Sequence, residues 1–495
     1  MTDTDVQTEG GNLASAQSSP LERVIEATSQ VPPDTTKDLL ATLTKEALSG
    51  SITWNKNLNQ TIGRAIEQID ELISRQLAEI LHDSRMQKLE GSWRGLNKLI
   101  RESELGTRLK IRVMDITKTE LLDQFENAPA TDRSPLFNKV YQEEFGTAGG
   151  EPYGVLLGDY EFAHLDEDVA LLRYLSVVAS AAHAPFIGSA SSEFFGHSNY
   201  QGLENNKPIE AGFGASTYAS WNGLRDSDDA RYLSLVLPRT LARVPYGTGG
   251  RRVKLFNFEE FPQDPVDKER RPESNAQFTW SNAVYEMGLL ITTAFWRSGW
   301  CTAIRGKDNG GKVENLPSYT YRSVPGDLTQ ICPVETNLTD EREKELSNLG
   351  FLPMVHYKNS DFAVFMGAQT IQRPKEYIDP DATANAAISA RLPYMMASSR
   401  IAHYLKIMGR DRIGSSVQPQ EVQAELTTWL SLYTNANAMG NEARAQTPLA
   451  ESRVTVSEQA GRPGCYSAVA YLRPWLQMEE LTTSLRLVAR IPGGG

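Results

Sequence analysis

Three consecutive runs in the stretch Tyr153–Ser191, YGVLLGDYEFAHLDEDVALLRYLSVVASAAHAPFIGSAS, decide the fold class. The first run, YGVLLGDYEF (153–162), is rich in aliphatic and aromatic residues and predicts a strand. The second, DEDVALLRYLSVVASAAHA (166–184), predicts a helix, and PFIGSAS (185–191) predicts another strand. Strand, helix and strand in this order are typical of alternating α/β structure, so we expect a mixed α/β core, within an overall α+β protein.

More elements are predicted on both sides of this unit. LKIRVMDI (109–116) has the composition of a strand, and a helix is expected over 118–125. DARYLSLVLPRTLARVPYG (229–247) predicts a helix that ends at a turn, and the apolar run 275–300 a long buried helix. GFLPMVHYKNSDFAVFMG (350–367) predicts a hairpin, because the Lys-Asn-Ser-Asp sequence at its centre supplies turn residues between two β-rich runs.

An amphipathic helix precedes the α/β region. Its apolar residues recur every three or four positions, which is the spacing of one helical face. We expect this face to lie either on the body of the chain or on a partner, and its members are Ile62, Ile66, Ile69, Ile73, Leu77 and Ile80. A second helical run follows, broken near Gly91 or continuing through it, with Met86, Leu89, Trp93, Leu96 and Ile100.

The C-terminal part begins after a candidate linker with two prolines, IQRPKEYIDPDATANA (371–386). Helices are predicted over about 387–408 and 418–434, and two strands, CYSAVAYLR (465–473) and TTSLRLVARI (482–491), close the sequence. In the last strand, apolar and polar residues alternate with a period of two, which indicates one buried face.

Composition excludes several functional classes. The 495 residues carry a formal net charge of −12, which argues against nucleic acid as the main partner. The three cysteines, Cys301, Cys332 and Cys465, are too few and too scattered for a disulfide framework or a zinc pattern. The first 20 residues lack the features of a secretory signal, and no apolar run is long enough to span a membrane. We therefore expect no membrane insertion.

No motif predicts catalysis or a cofactor. GKDNGGKV (306–313) has the spacing of a phosphate-binding loop, but valine replaces the metal-binding hydroxyl and Pro317 would break the helix that should follow. Asp159 and Glu161 lie two residues apart on one predicted strand and are expected to be solvated or to cap the next helix. His183 is expected to be structural, and Cys301 to pack beside a tryptophan. We predict no metal and no cofactor.

Six stretches resemble the large subunit of the type VI secretion contractile sheath, the TssC/VipB family. They occur in order from about residue 55 to the C-terminus, and together they are specific. They are QKLEGSWRGLNKLI (87–100), GVLLGDYEF (154–162), VASAAHAPFIGSAS (178–191), DSDDARYLSLVLPRTLARVPYG (226–247), CPVETNLTDEREKELSNLGFLPMVHYKNSDFAVFMGAQTIQRP (332–374) and GRPGCYSAVAYLRPWLQMEELTTSLRLVARIP (461–492).

The resemblance implies a structural protein of the bacterial cytoplasm and not an enzyme. Family members pair with a small sheath subunit (TssB/VipA-like) and stack with copies of themselves into a helical cylinder around a tube of secreted hexamers. The cylinder assembles on a baseplate, contracts, and is dismantled by a hexameric AAA+ ATPase. A phage-like sheath protein that polymerises alone, or a soluble α/β enzyme, are the alternatives.

The resemblance and the pattern together predict four regions and a mode of assembly. The regions are a flexible acidic arm (1–50), a linker strand with amphipathic helices (51–106), a central α/β sheath domain (107–372) and a C-terminal sheath core with a terminal hairpin (373–495). Because open strand edges accept strands from other chains, we expect strand exchange between subunits. The alternative is that these strands complete the subunit's own sheet. The candidates are Ile52, Thr53 and Trp54 in the arm, Ala468, Ala470 and Leu472 in the first terminal strand, and Thr483, Leu485, Leu487, Ala489 and Ile491 in the second.

Overall fold

The computed structural model describes residues 38, 41, 42, 45, 58–204, 208–261, 263, 270, 272–322, 328–412, 418–458 and 466–475. They belong to two compact units. One consists of residues 1–78, 246–248 and 252–260, and the other of residues 79–245, 249–251 and 261–495.

The smaller unit contains helix α1 (Leu58–Leu81), whose last three residues belong to the larger unit. The loop segments 246–248 and 252–260 pack in the same unit as this helix. The loop is fixed by its own glutamates: the backbone N–H of Tyr246 donates to the Glu260 carboxylate over 2.7 Å, and the N–H of Thr248 to Glu259 over 3.1 Å. Glu259 in turn donates its backbone N–H to Ser74 Oγ of α1 over 3.2 Å. Both glutamates are buried, so the loop and the helix side that bears Ser74 hold each other in place.

The larger unit is built on a six-stranded sheet in the order β1-β2-β3-β9-β10-β6. Strands β1 (Leu156–Phe162), β2 (Phe186–Ala190), β3 (Leu233–Leu237) and β9 (Phe351–His356) are parallel. Strands β10 (Ala363–Phe365) and β6 (Lys312–Val313) add antiparallel pairs at one edge. The strand–helix–strand unit predicted over 153–191 is confirmed, with α5 (Asp166–Ala182) between β1 and β2.

Both faces of the sheet are buried, because successive side chains of each strand enter different cores. Phe186, Leu235 and Phe351 belong to a core that includes α5 and α3 (Lys118–Glu126). Ile187 and Val236 belong to a second core built around α7 (Val284–Ser298). The parallel part of the sheet therefore lies between helices, which is the expected arrangement for parallel strands.

The C-terminal region has a core of its own. Helices α10 (Leu392–Asp411) and α11 (Pro419–Ser431) pack with strand β11 (Leu449–Glu458). β11 pairs antiparallel with β12 (Tyr466–Pro474) in a separate two-stranded sheet.

The remaining elements are shorter or connect these parts. The helices are α2 (Ser84–Glu102), α4 (Pro135–Phe137), α6 (Ala219–Arg225), α8 (Asp340–Asn348), α9 (Pro380–Ser389) and α12 (Asn441–Gln446), with a π-helix over Asn138–Phe145. Two more strand pairs are β4 (Thr240–Leu241) with β5 (Trp280–Ser281) and β7 (Thr320–Arg322) with β8 (Leu328–Gln330). Short 3-10 helices cover Thr131–Arg133, Ser192–Phe195, Tyr200–Glu204, Glu210–Gly214, Ser216–Tyr218, Asp228–Tyr232 and Asn275–Gln277.

Three local predictions were wrong. Segment 109–116 forms neither a strand nor a helix in the described part of the chain. Segment 229–247 holds the buried strand β3 and the short β4 where a helix was expected, because a strand buried on both faces has no alternation to reveal it. The helix predicted over 387–408 is divided between α9 and α10, since Pro393 is accommodated in the first turn of α10 and not in a helix interior.

Other predictions are confirmed. α2 continues through Gly91 from Ser84 to Glu102. β9 and β10 form the hairpin expected from 350–367, and its turn places Asn359 at φ 61°.

Candidate assembly surfaces

The apolar stripe of α1 is largely open to solvent. Ile66, Ile69 and Ile73 are 53%, 54% and 43% exposed, and Ile80 near the helix end is 51% exposed. The two remaining members, Ile62 and Leu77, are half-buried. Soluble proteins seldom expose a continuous row of large aliphatic side chains unless it meets a partner. The row is therefore a candidate assembly surface, named below the α1 stripe (Ile62, Ile66, Ile69, Ile73, Leu77 and Ile80).

Helix α2 buries one side against the sheet domain. Gly91 and Gly95 form the contact: a Cβ at Gly91 would stand 2.2 Å from the carbonyl oxygen of Trp280, and one at Gly95 would stand 2.3 Å from the Tyr285 ring. Farther along the helix, Lys98 Nζ lies 2.8 Å from the carboxylate of Glu286 on α7. The backbones approach this closely because glycine has no side chain. The GSWRG sequence thus fixes α2 to β5 and α7.

The opposite side of α2 is exposed and apolar. Trp93 is 65% exposed and Leu89 is 55% exposed, with Met86 and Ile100 less so. These residues and the half-buried Leu96 make the second periodic run of the sequence and are named below the α2 stripe. The α2 stripe therefore lies on a helix that is closely packed on its other side.

Strand β12 contains three of the predicted strand-exchange candidates. The side chains of Ala470 and Leu472 pack on the C-terminal core of this chain, and Ala468 is opposite Val456 of β11. Tyr466, Val469 and Tyr471 are exposed. In the part of the chain that the structure describes, β12 pairs with β11 alone. Its second edge is thus a candidate for another strand.

The other strand candidates, Ile52, Thr53 and Trp54 and the segment Thr483–Ile491, lie outside the described residues. Strand β11, which pairs with β12, was not predicted from the sequence. Its signal was present in LAESRVTVSE (449–458), where buried Val454 and half-buried Val456 alternate with polar residues.

The candidates for chemistry are used structurally. Asp159 accepts a hydrogen bond from the Tyr285 hydroxyl over 2.9 Å. Glu161 lies 3.7 Å from Arg239, whose guanidinium makes a bidentate pair with Glu335, and burial raises the pKa of Glu161. His183 caps α5 in the left-handed conformation, at φ 51°, and lies 3.1 Å from the Tyr232 hydroxyl.

The glycine-rich segment 306–313 forms a turn that leads into β6. Gly306 and Gly310 have φ values of 73° and 83°, and Lys312 Nζ lies 4.4 Å from the centre of the Phe362 ring. A strand, and not a helix, follows the turn, so the helix N-terminus that a phosphate loop uses is not formed there. Burial raises the pKa of the Cys301 thiol to about 12, which keeps it protonated and weakly nucleophilic.

The residues that the structure describes contain no group of three or more His, Cys, Asp or Glu side chains placed to bind a metal. Among the helices in these parts of the chain, none is both long and apolar enough to cross a bilayer.

Comparison with known proteins gives matches over most of the chain. Residues 63–372 match the profile of the EvpB/VC_A0108 tail sheath N-terminal domain (VipB), and residues 381–491 that of the EvpB/VC_A0108 tail sheath gpW/gp25-like domain. The type VI secretion system sheath protein TssC1 of Pseudomonas aeruginosa is 42% identical over 455 residues, which cover 91% of this chain and 90% of that protein.

Solved structures give looser matches. A sheath complex of the extracellular contractile injection system PVC, in the contracted state, is 11% identical with a TM-score of 0.34 and covers 64% of this chain and 68% of its own. A chain of the anti-feeding prophage baseplate is 13% identical with a TM-score of 0.37, and the match covers 81% of this chain and 87% of that chain. Both TM-scores are below 0.5, so the family assignment depends on the sequence matches.

Proposed function

The chain belongs to the VipB family of tail sheath proteins and is a large subunit of a type VI secretion sheath, and we propose that it acts there by joining a small sheath subunit and copies of itself into a contractile cylinder. The role is mechanical and not enzymatic. The cylinder would form in the bacterial cytoplasm around a tube of secreted hexamers, on a baseplate. Its contraction would push the tube outward, and an AAA+ ATPase would dismantle the contracted form.

The observation that carries the proposal is the exposure of the α1 stripe. Three isoleucines in its centre are each more than two-fifths exposed, although the same helix buries Thr61, Ala65 and Ser74. Removing apolar surface from water stabilises a contact by about 25 cal/mol per Å², so a helix surface of this kind gains much from a partner. A repeating polymer would provide that partner for every copy.

Strand exchange supplies the second kind of contact. We propose that β12 and segment 483–491 together contribute strands to a sheet shared between neighbouring subunits, and that the region of Ile52 to Trp54 adds a strand to the neighbour. Main-chain hydrogen bonds across subunits would keep the polymer connected while its subunits rotate, because they tolerate changes in side-chain packing. The pairing of β12 with β11 supports this arrangement, since among the described residues it leaves one edge of β12 available.

The four regions stay as proposed: an arm (1–50), a linker with amphipathic helices (51–106), a central domain (107–372) and a C-terminal core (373–495). The two family profiles end and begin at 372 and 381, which supports the last boundary.

Electron microscopy after co-expression tests the proposal. The chain is expressed alone and together with a candidate small sheath subunit, and the products are imaged by negative stain. Long filaments that require both proteins support the proposal. Filaments of this chain alone would support the phage-like alternative, and compact particles under every condition would contradict polymerisation.

Variants connect the result to the two surfaces. Ile69→Glu places a charge in the α1 stripe and should prevent filaments, whereas Gln68→Glu, an exposed neighbour outside the stripe, should not. Leu487→Pro removes a backbone donor from the strand proposed over 483–491 and should prevent long assemblies while the small subunit stays bound. Normal filaments from Leu487→Pro would contradict strand exchange at this position.

A further inference from the structure

The α1 and α2 stripes have opposite charge surroundings. α1 carries four acidic and two basic side chains, and α2 two acidic and five basic ones. On a helical wheel of about 100° per residue, Asp70 borders the α1 stripe, while Arg85 borders one side of the α2 stripe and Arg101 lies on its other side. Arg85 also pairs with Asp83 over 3.3 Å. Glu90, which also borders the α2 stripe, is held by Arg94 and Arg243 at 2.7 and 2.8 Å.

The two stripes are also similar in length. Each helical residue rises about 1.5 Å, so the α1 stripe from Ile62 to Ile80 is roughly 27 Å long and the α2 stripe from Met86 to Ile100 roughly 21 Å. Both are exposed rows of large apolar side chains, and the α2 stripe lies on a helix that is closely packed on its other side. An acidic amphipathic helix of about five turns is the occupant that α2 suits, and α1 is such a helix.

We propose that the α2 stripe of one copy receives the α1 stripe of the next copy in the sheath. The contact joins two different surfaces of the same chain, so it is heterologous. Heterologous contacts that do not close into a ring generate helical polymers, which is the symmetry that a sheath needs. This inference rests on the proposed function and adds to it the partner of each helix.

Cysteine cross-linking between copies is the direct test. Two versions of the chain with different affinity tags are made, one with Ile69→Cys and the other with Trp93→Cys. Both are co-expressed with the small sheath subunit. After mild oxidation of purified filaments, the expected product is a disulfide-linked dimer that contains both tags. The matched control pairs Gln68→Cys with Trp93→Cys, because Gln68 is exposed on α1 but lies outside the stripe. The control should give little or no such dimer.

Charge reversal provides a second, independent readout. Arg85→Glu with Arg101→Glu should shorten or abolish filaments while the small subunit still co-purifies. Adding Asp70→Arg to the same chain should partly restore filaments, because every copy then carries both altered surfaces. Rescue distinguishes a lost contact from a folding defect.

Three results would overturn the proposal. They are a mixed dimer no stronger than the control, a cross-link from Trp93→Cys to the small subunit instead, and loss of the small subunit upon reversal of Arg85 and Arg101. In each case the wild-type filaments still form, so the proposed function would survive. Absence of wild-type filaments would instead contradict the proposed function itself.

Discussion

Gly91 of α2 lies directly against the backbone of Trp280 in β5, since a Cβ at position 91 would stand 2.2 Å from the Trp280 carbonyl oxygen. An alanine there must push the helix away from a strand whose backbone cannot yield cheaply. We expect Gly91→Ala to destabilise the protein by about 2 kcal/mol, as overpacked substitutions do. Thermal unfolding of the purified chain measures the loss.

Gly63 provides the matched control for this prediction. It is a glycine in the interior of helix α1, and nothing lies within 4 Å of a Cβ built on it. Gly63→Ala should therefore stabilise by about 0.5 to 1 kcal/mol through helix propensity alone. Equal effects of the two substitutions would show that the approach of α2 to Trp280 is not tight in solution.

We expect Lys98 to stabilise the fold as the counter-ion of a buried carboxylate. Its Nζ lies 2.8 Å from Glu286, whose side chain is 5% exposed. Lys98→Ala would leave that charge without its partner, and we expect a loss of about 3 kcal/mol in the free energy of unfolding. Lys88→Ala, at an exposed position of the same helix, should change stability by less than about 0.5 kcal/mol. Urea denaturation followed by circular dichroism compares them, and similar midpoints would contradict the assignment.

The sequence predicted the alternating α/β unit well because its elements have clear periodicity. The helix over 166–182 begins with three acidic residues and carries apolar residues at helical spacing, and both flanking strands are short β-rich runs. β3 was missed for the opposite reason. All five of its side chains are buried, so no alternation distinguishes it from a buried helix.

Tertiary contacts explain the other differences. Segment 109–116 has strand-like composition, but a strand requires a neighbour, and local sequence cannot show that no strand of the described residues pairs with it. The exposure of the α1 stripe and the anchoring of α2 by Gly91 and Gly95 were also beyond the sequence. The pattern marks an apolar surface but does not say what covers it.

We expect the protein to become less stable as the pH is lowered, because of His403. The ring is buried, its Nε2–H donates to the carbonyl oxygen of Ala182 over 2.9 Å, and Lys406, Arg400 and His183 lie near. Burial, with a smaller contribution from these neighbours, lowers its pKa to about 4. In the unfolded chain the pKa is about 6.5, so between these values only the unfolded state binds the proton.

The sign follows from that difference. The contribution of the neutral His403 ring to the free energy of unfolding is fully present above about pH 6.5. It is lost as the pH falls towards 4, by about 1.4 kcal/mol per pH unit for one histidine. The pKa of His183 is also lowered by burial, which adds in the same direction. Urea midpoints at pH 7.5, 6.0 and 5.0 measure the slope. His403→Gln should flatten it, and an unchanged slope in that variant would assign the pH dependence to other groups.

Asn359 should control the stability of the hairpin between β9 and β10. It has φ 61°, in the left-handed region that β-branched residues avoid, and it lies between strands that pair Ala363 with His356. Asn359→Val should cost about 1 to 2 kcal/mol, whereas Asn359→Gly should be neutral within about 0.5 kcal/mol, because glycine adopts this conformation without a steric penalty. Lys358→Val, one residue earlier in the same turn, controls for the introduced side chain. Thermal unfolding compares the three variants, and a valine tolerated equally well at 358 and 359 would show that the turn does not require the left-handed conformation.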